Sequence, residues 1–255
     1  MILFFTDFGW HGPYIGQMHT AVVGYANTIP IIDLMHDAPA QDPMAAAYLL
    51  AALAPEMPEE CVCVGVVDPG VGTDRDAIVL RTGNRFFVGP DNGLFAITAR
   101  QDRNPEWYRI IWRPESLSAS FHGRDLFAPV AARIATRTGA GNKADTPASA
   151  SWIDGLVTEI PGPAFAPEWS DDIDQVIYID GFGNCILGRK ATTVDRTASV
   201  SIAGETLGTA ATFGDVPDGR GFWYVNSMGL VEIAVNKGNA AERFGLTIGT
   251  QVRVG

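Results

Sequence analysis

The run CVCVGVV at residues 61–67 constrains this chain more than any other segment. No polar side chain interrupts it, and Asp68-Pro69-Gly70 follows at once. A strand with no polar face must be covered on both sides. That is the position of a central strand in a parallel sheet with helices above and below. The chain around it agrees. ILFF (2–5) and IIDLM (31–35) read as strands. YIGQMHTAVVGYAN (14–27) has helical periodicity, and MAAAYLLAALA (44–54) is an Ala/Leu-rich helix behind Asp42-Pro43. AIVLRT (77–82) and RFFVG (85–89) form a hairpin pattern, and LFAPVAARIATRTG (126–139) is a helix closed by glycine. Strands alternating with helices predict an α/β layered domain with a mostly parallel sheet.

The rhythm changes in the second half. Residues 140–170 are rich in Gly, Pro, Ser and Ala and read as a connection. Short strands follow: QVIYID (175–180), CILGR after a GFGN turn (181–184), SVSIAG, ETLGTAAT, FWYVNS (222–227), GLVEIAVN (229–236) and TQVRVG. Turns every eight to twelve residues predict a smaller all-β, barrel-like domain. The expected division is 1–150 for the α/β domain, 151–170 for the connecting segment and 171–255 for the β domain.

Charge excludes some functions. The 255 residues carry 18 Lys and Arg against 29 Asp and Glu, a net charge of -11. Such a chain is a poor ligand for a phosphate backbone, so no nucleic acid is expected as a partner. No apolar stretch reaches the roughly 18 residues of a membrane span, so no membrane is expected either. The N-terminus has no basic segment before its apolar residues, which predicts a cytoplasmic protein. The three cysteines, Cys61, Cys63 and Cys185, then read as reduced thiols, the first two buried in their strand or, less simply, a metal or redox pair.

In an open α/β sheet ligands bind beyond the carboxyl ends of the strands. Asp7 and Asp68 lie there, each before a glycine-containing turn. Either is a turn or cap residue by type, or one that accepts the two hydroxyls of a ribose. DPGVGTDR lacks the Lys-Ser/Thr of a P-loop and the third glycine of a dinucleotide fingerprint. Arg75 lies seven residues past Asp68, so that loop can fold it back on the carboxylate. Of the four histidines, His122, at the loop-to-helix junction of SFHGRDLF, is the best placed. His19 falls inside a helix, and His36 and His11 are weaker candidates. GPDNGLF (89–95) reads as a structural turn. No G-x-S-x-G or H-E-x-x-H occurs. His36, Asp37, Asp68 and His122 have the residue types of a metal set, but no spacing specifies one. In the second half Asp180 and Asn184 bracket a glycine turn, Ser227 ends a strand, and Glu232 is the single charge in an apolar run. Phe213, Phe222 and Trp223 either pack a core or stack on a planar ring.

Six of these segments, in order, resemble the S-adenosyl-L-methionine hydrolases, or hydroxide adenosyltransferases, relatives of the fluorinase and chlorinase enzymes. They are TDFG (6–9), VVDPGVGTDR (66–75), FVGPDNGLF (87–95), SFHGRDLFAPVAA (120–132), IDGFGN (179–184) and NSMGLVEIAVNKGNAA (226–241). The resemblance implies an N-terminal α/β domain, a C-terminal β-barrel-like domain, and a homotrimer with its active sites between subunits. It implies S-adenosyl-methionine as substrate, adenosine and L-methionine as products, and no metal or cofactor. The family's catalytic Asp-Arg-His set falls on Asp68, Arg75 and His122. Asp7 is matched to the ribose diol, with Phe8 and Gly123 beside the substrate. Asn184 and the backbone near Val235 are matched to the adenine end, and Asp180, Ser227 and Glu232 to the methionine end, with Phe213 a further substrate-binding candidate. The halide-using relatives do not keep the Asp-Arg-His set, which favours water over halide here. Two positions depart. Gly12 stands where family members often carry Asp, and Met228 where halide-using relatives have Arg.

Overall fold

In a computed structural model, residues 1–139 and 153–255 are described. They form two compact units, Met1–Pro167 and Glu168–Gly255. The boundary expected at residue 150 lies outside the described residues.

Unit 1 is built on a seven-stranded sheet. Its strands are β1 (Ile2–Thr6), β2 (Ile31–Met35), β3 (Cys61–Val66), β4 (Ala77–Thr82), β5 (Arg85–Pro90), β6 (Glu106–Ile110) and β7 (Val157–Ile160). Their order is β2-β1-β3-β5-β4-β6-β7. The first four pair parallel, and β4 and β7 run against the rest. As its unbroken apolar run requires, β3 is buried along its whole length, between β1 and β5. Side chains alternate between the two faces of the sheet. Ile2, Phe4, Val62 and Val64 join Met18 and Val22 of α1 (Tyr14–Tyr25) and the buried side of α4 (Ala128–Thr138) in one core. On the other face Phe95 packs on Phe87 at 5.9 Å, just before α3 (Ala96–Ala99), which contacts α2 (Pro43–Leu53).

Local signals explain the helix ends. Asp42 caps α2 by accepting from Ala45 N at 3.0 Å, and Pro43 opens the helix. Gly139, at φ 68, ends α4 in the left-handed conformation that glycine adopts freely. The helix read from Leu126 begins with a π turn over Gly123–Phe127 and becomes regular at Ala128. One segment differs from its sequence reading. Residues 157–160, taken as connection, form β7 and pair with β6 on the sheet edge. Four residues between glycine- and proline-rich stretches carry too little periodicity to show this.

Unit 2 holds β8 (Val176–Ile179), β9 (Cys185–Lys190), β10 (Val200–Ile202), β11 (Glu205–Leu207), β12 (Gly221–Val225), β13 (Leu230–Val235), α5 (Ala240–Phe244) and β14 (Arg253–Val254). They make two antiparallel sheets, ordered β12-β13-β9-β8 and β11-β10-β14. The unit has its own core around Trp223, Leu187, Val231, Ile233 and Phe244, and the indole N–H of Trp223 donates to Ala198 O at 3.0 Å. Cys61, Cys63 and Cys185 are buried free thiols, and burial pushes all three up from the ordinary thiol pKa. Buried thiols of this kind pack as small apolar side chains. Among the described residues no helix is long and apolar enough to cross a membrane.

Candidate active site

The strand order of unit 1 selects one sheet end. From β1 the chain crosses to β2 on one side, then returns to place β3 on the other. The crevice at such a reversal, beyond the carboxyl ends of the strands, is where open α/β sheets bind ligands. Asp7 and Asp68 follow β1 and β3 there, and Asp7 N donates to Val66 O at 3.3 Å.

Asp68, Arg75 and His122 come together at this edge. Arg75 donates Nε to Asp68 Oδ1 at 2.8 Å and Nη2 to Asp68 Oδ2, a bidentate fork on the carboxylate. The side chains are 9% and 4% exposed, so this pair has little solvent to screen it. Arg75 Nη2 also lies 3.3 Å from His122 Nδ1. A guanidinium only donates, so the imidazole accepts at Nδ1. Burial, and then the charge of Arg75, lower the pKa of His122 against the opposing pull of Asp68. The loop that returns Arg75 depends on Gly72, whose φ is 82 and whose missing Cβ would lie 2.6 Å from Ala119 O. Gly123 is closely packed by side chains, its Cβ position being 3.1 Å from Met18 Sδ and 3.3 Å from the Phe8 ring. Phe8 itself packs edge-on to Phe121 at 5.6 Å.

The Asp7 carboxylate accepts from Gln41 N at 2.9 Å. Burial raises its pKa, the Gln41 bond opposes this, and the nearby charge of Asp68 adds to it. GPDNGLF explains itself as support for the site. Asn92 Nδ2 donates to Val67 O at 2.8 Å and its Oδ1 accepts from Leu94 N at 3.2 Å. The backbone just before Asp68 is thereby clamped. Among the described residues no set of three or more His, Cys, Asp or Glu gathers as metal ligands.

In unit 2 an open pocket of about 560 Å³ is lined by Asp180, Phe182, Asn184, Phe213, Tyr224 and Val235, among others. Asp180 organises the glycine turn. Its Oδ1 accepts from Phe182 N and Asn184 N, both at 2.9 Å, and its Oδ2 from Asn184 Nδ2 at 3.0 Å. Phe213 stands edge-on to Tyr224 at 5.4 Å. Glu232 is 4% exposed, and both its oxygens are engaged, Oε1 by the Tyr224 hydroxyl and Oε2 by Asn226 Nδ2 at 3.0 Å. Its pKa is raised by burial against those two bonds, with Asp180 adding to the rise. Asn226 Oδ1 accepts from Met228 N and Leu230 N, so Glu232 supports the turn that carries exposed Ser227. Ser227 is not among the pocket's lining residues.

Sequence reasoning singled out Asp180, Asn184, Phe213 and Val235 in this pocket but passed over Phe182 and Tyr224. Phe182 is 81% exposed, and an aromatic between two glycines is the signal that was available. Phe222 and Trp223 are core residues, 2% and 1% exposed.

Two family models match the chain: the SAM hydroxide adenosyltransferase N-terminal domain over residues 2–143 and the C-terminal domain over residues 174–253. The chain belongs to the SAM hydroxide adenosyltransferase family. A relative from Salinispora arenicola, named (R)-S-adenosyl-L-methionine hydrolase, is 38% identical, with 99% of this chain and 97% of the relative aligned. One of the same name from Thermus thermophilus is 35% identical, covering 99% and 98%. The crystal structure of an uncharacterized conserved protein from Thermotoga maritima matches with a TM-score of 0.85 at 27% identity, over 100% of this chain and 99% of that one. Membership of the hydroxide adenosyltransferase family agrees with all six motifs read in sequence, which fall in the two matched regions.

Proposed function

We propose that this protein hydrolyses S-adenosyl-L-methionine to adenosine and L-methionine, with water attacking C5′ of the ribose in line with the departing sulfur. The cluster of Asp68, Arg75 and His122 carries this reading, joined to full-length similarity to hydrolases of that name. The leaving group is a neutral thioether, so no acid has to expel it. The demand falls on the nucleophile. A water held at the cluster meets a guanidinium that favours hydroxide-like charge on its oxygen. Asp68 and His122, the latter kept uncharged by its surroundings, orient it and take its proton as the C5′–O bond forms and the C5′–S bond breaks.

Asp7 takes the ribose hydroxyls, with Phe8 and Gly123 alongside. Asn184, Phe213 and Val235 take the adenine end, and Asp180 and Ser227 the methionine end, where Glu232 acts as carboxylate and as support for the Ser227 turn. The working form is a cytoplasmic homotrimer with active sites between subunits, a mass three times that of the chain in light scattering.

Incubation with S-adenosyl-methionine in H₂¹⁸O, followed by chromatography and mass spectrometry, tests the reaction. Adenosine carrying the label at its 5′ oxygen is expected, with one methionine per adenosine. Unlabelled adenosine, 5′-chloro-5′-deoxyadenosine on adding chloride, or nucleoside binding without product overturns the reading. The halide outcome is disfavoured by the intact Asp-Arg-His set. The relatives' names specify the (R) form, so both forms of the substrate belong in the assay, with the (R) form expected to be used.

The pH profile has a predicted sign. Uncharged His122 is the working form, and its pKa is lowered by burial and Arg75, with Asp68, Arg113 and Asp125 also acting on it. The rate therefore holds as pH falls through the ordinary histidine value of about 6.5 and drops only below it. Stopped assays of kcat between pH 5 and 8 check this, and an acid limb above that value contradicts it.

A further inference from the structure

Two loops at the carboxyl ends of β1 and β2 are laced together around a buried histidine. His36 is 0% exposed, as is Thr6. His36 Nε2 lies 3.0 Å from Asp33 Oδ1, which also receives His19 Nε2 of α1 at 2.7 Å. His36 Nδ1 lies 2.8 Å from Thr6 Oγ1, and Thr6 Oγ1 accepts from Phe8 N at 3.4 Å. The backbone repeats the stitching. Gly9 N donates to His36 O at 2.6 Å, Ala38 N to Thr6 O at 3.1 Å, and Gln41 N to Asp7 Oδ2 at 2.9 Å. Trp10 covers the His36 ring edge-on at 4.9 Å.

The chemistry of the chain of bonds has one direction. An ionised carboxylate only accepts, so in an uncharged His36 imidazole the proton sits on Nε2. Nδ1 then accepts from the Thr6 hydroxyl, whose lone pair is left for Phe8 N–H. Each group has one role, and Asp7 lies between the two anchored residues. A buried polar set of this kind costs desolvation that an apolar edge would avoid. That cost has a return if the set holds a functional loop in one geometry.

We propose that His36, tied to Asp33 and His19, is a positioning residue that acts through Thr6 to aim the Asp7 carboxylate at the ribose hydroxyls of the substrate. The inference rests on the reading of Asp7 as the diol-binding group. His36 does not touch substrate and takes no part in the proton transfer.

Thr6→Val removes the hydroxyl at nearly constant shape. In His36→Gln the amide stands where Nε2 was and keeps Asp33, while in His36→Asn it stands where Nδ1 was and keeps Thr6. The readouts are KM and kcat for S-adenosyl-methionine and the affinity ratio of adenosine to 2′,3′-dideoxyadenosine by calorimetry. Thr6→Val and His36→Gln should raise KM and shrink that ratio about tenfold, the effect of misaligning hydrogen bonds to a charged group, with kcat within about threefold. His36→Asn should recover part of the ratio. Asp7→Ala sets the scale by abolishing the preference for adenosine. Where Asp7→Ala keeps the preference, the diol reading falls and this proposal with it. Where Asp7→Ala loses it but folded Thr6→Val and His36→Gln keep the starting ratio and KM, only the His36 relay is overturned. A fall in melting temperature with an unchanged ratio also overturns it. His36→Gln gives the same readout if Thr6→Val does not fold.

Discussion

Asp68→Asn should lower kcat for adenosine release about 10²–10⁴-fold while leaving the chain folded. The substitution keeps the shape of a side chain that is 4% exposed and holds the Arg75 guanidinium by two contacts. It removes the charge that shares the site with Arg75 and His122. An amide also turns an N–H towards a guanidinium that can only donate, which loosens Arg75 from its 3.3 Å contact with His122. His122→Ala should produce a loss of similar size. Asp68→Ala is a poorer probe, because an unpaired buried guanidinium costs about 3–5 kcal/mol of stability by itself. Initial rates at saturating substrate, with circular dichroism to confirm folding, decide the matter. Full rates in both Asp68→Asn and His122→Ala would sink the mechanism.

The second large effect is on stability. Gly89→Ala places a Cβ 2.2 Å from Gly65 O and 2.8 Å from the Phe95 ring. Backbone oxygen cannot step aside as a side-chain end can, so β3 and β5 must separate at the centre of the sheet. Overpacking of this severity costs about 3 kcal/mol. For a protein of this size that corresponds to roughly 6–12 °C in Tm. Thermal denaturation followed by circular dichroism measures it, and an unchanged Tm contradicts the close approach of the two strands. Activity should fall with stability, because Asn92, just past β5, is what clamps Val67 O beside Asp68.

These positions show how far local pattern reaches. CVCVGVV, with no polar face, reads as an interior strand, and β3 is buried throughout. Asp42-Pro43 and Gly139 marked helix ends because capping chemistry is local. Arg75 was within reach of Asp68 on loop length alone, and the two are paired. Signals of lower density were lost. β6 and β7, five and four residues at the far side of the sheet, are recognised only through their pairing with β4 and each other. Glu232 illustrates the same limit in the site. Its residue type invites a cation, yet its partners are Tyr224, eight residues away and opposite it in the antiparallel register, and Asn226, six away just past β12. GPDNGLF looked like a turn and is one, but its use, an amide reaching 25 residues back to Val67, is not a local property.

The sequence by itself determined the class of fold, the family and the chemical types present at the strand ends, because periodicity, capping and motif spacing are properties of neighbouring residues. Tertiary structure alone decided which of those groups meet. His36 was one histidine among four by type. Packing of β1 against β2 and α1 buries it between Thr6 and Asp33. That arrangement depends on hydrogen-bond partners 30 residues apart, and on burial that makes each of those bonds costly to lose. Neither quantity is written in a local stretch of chain.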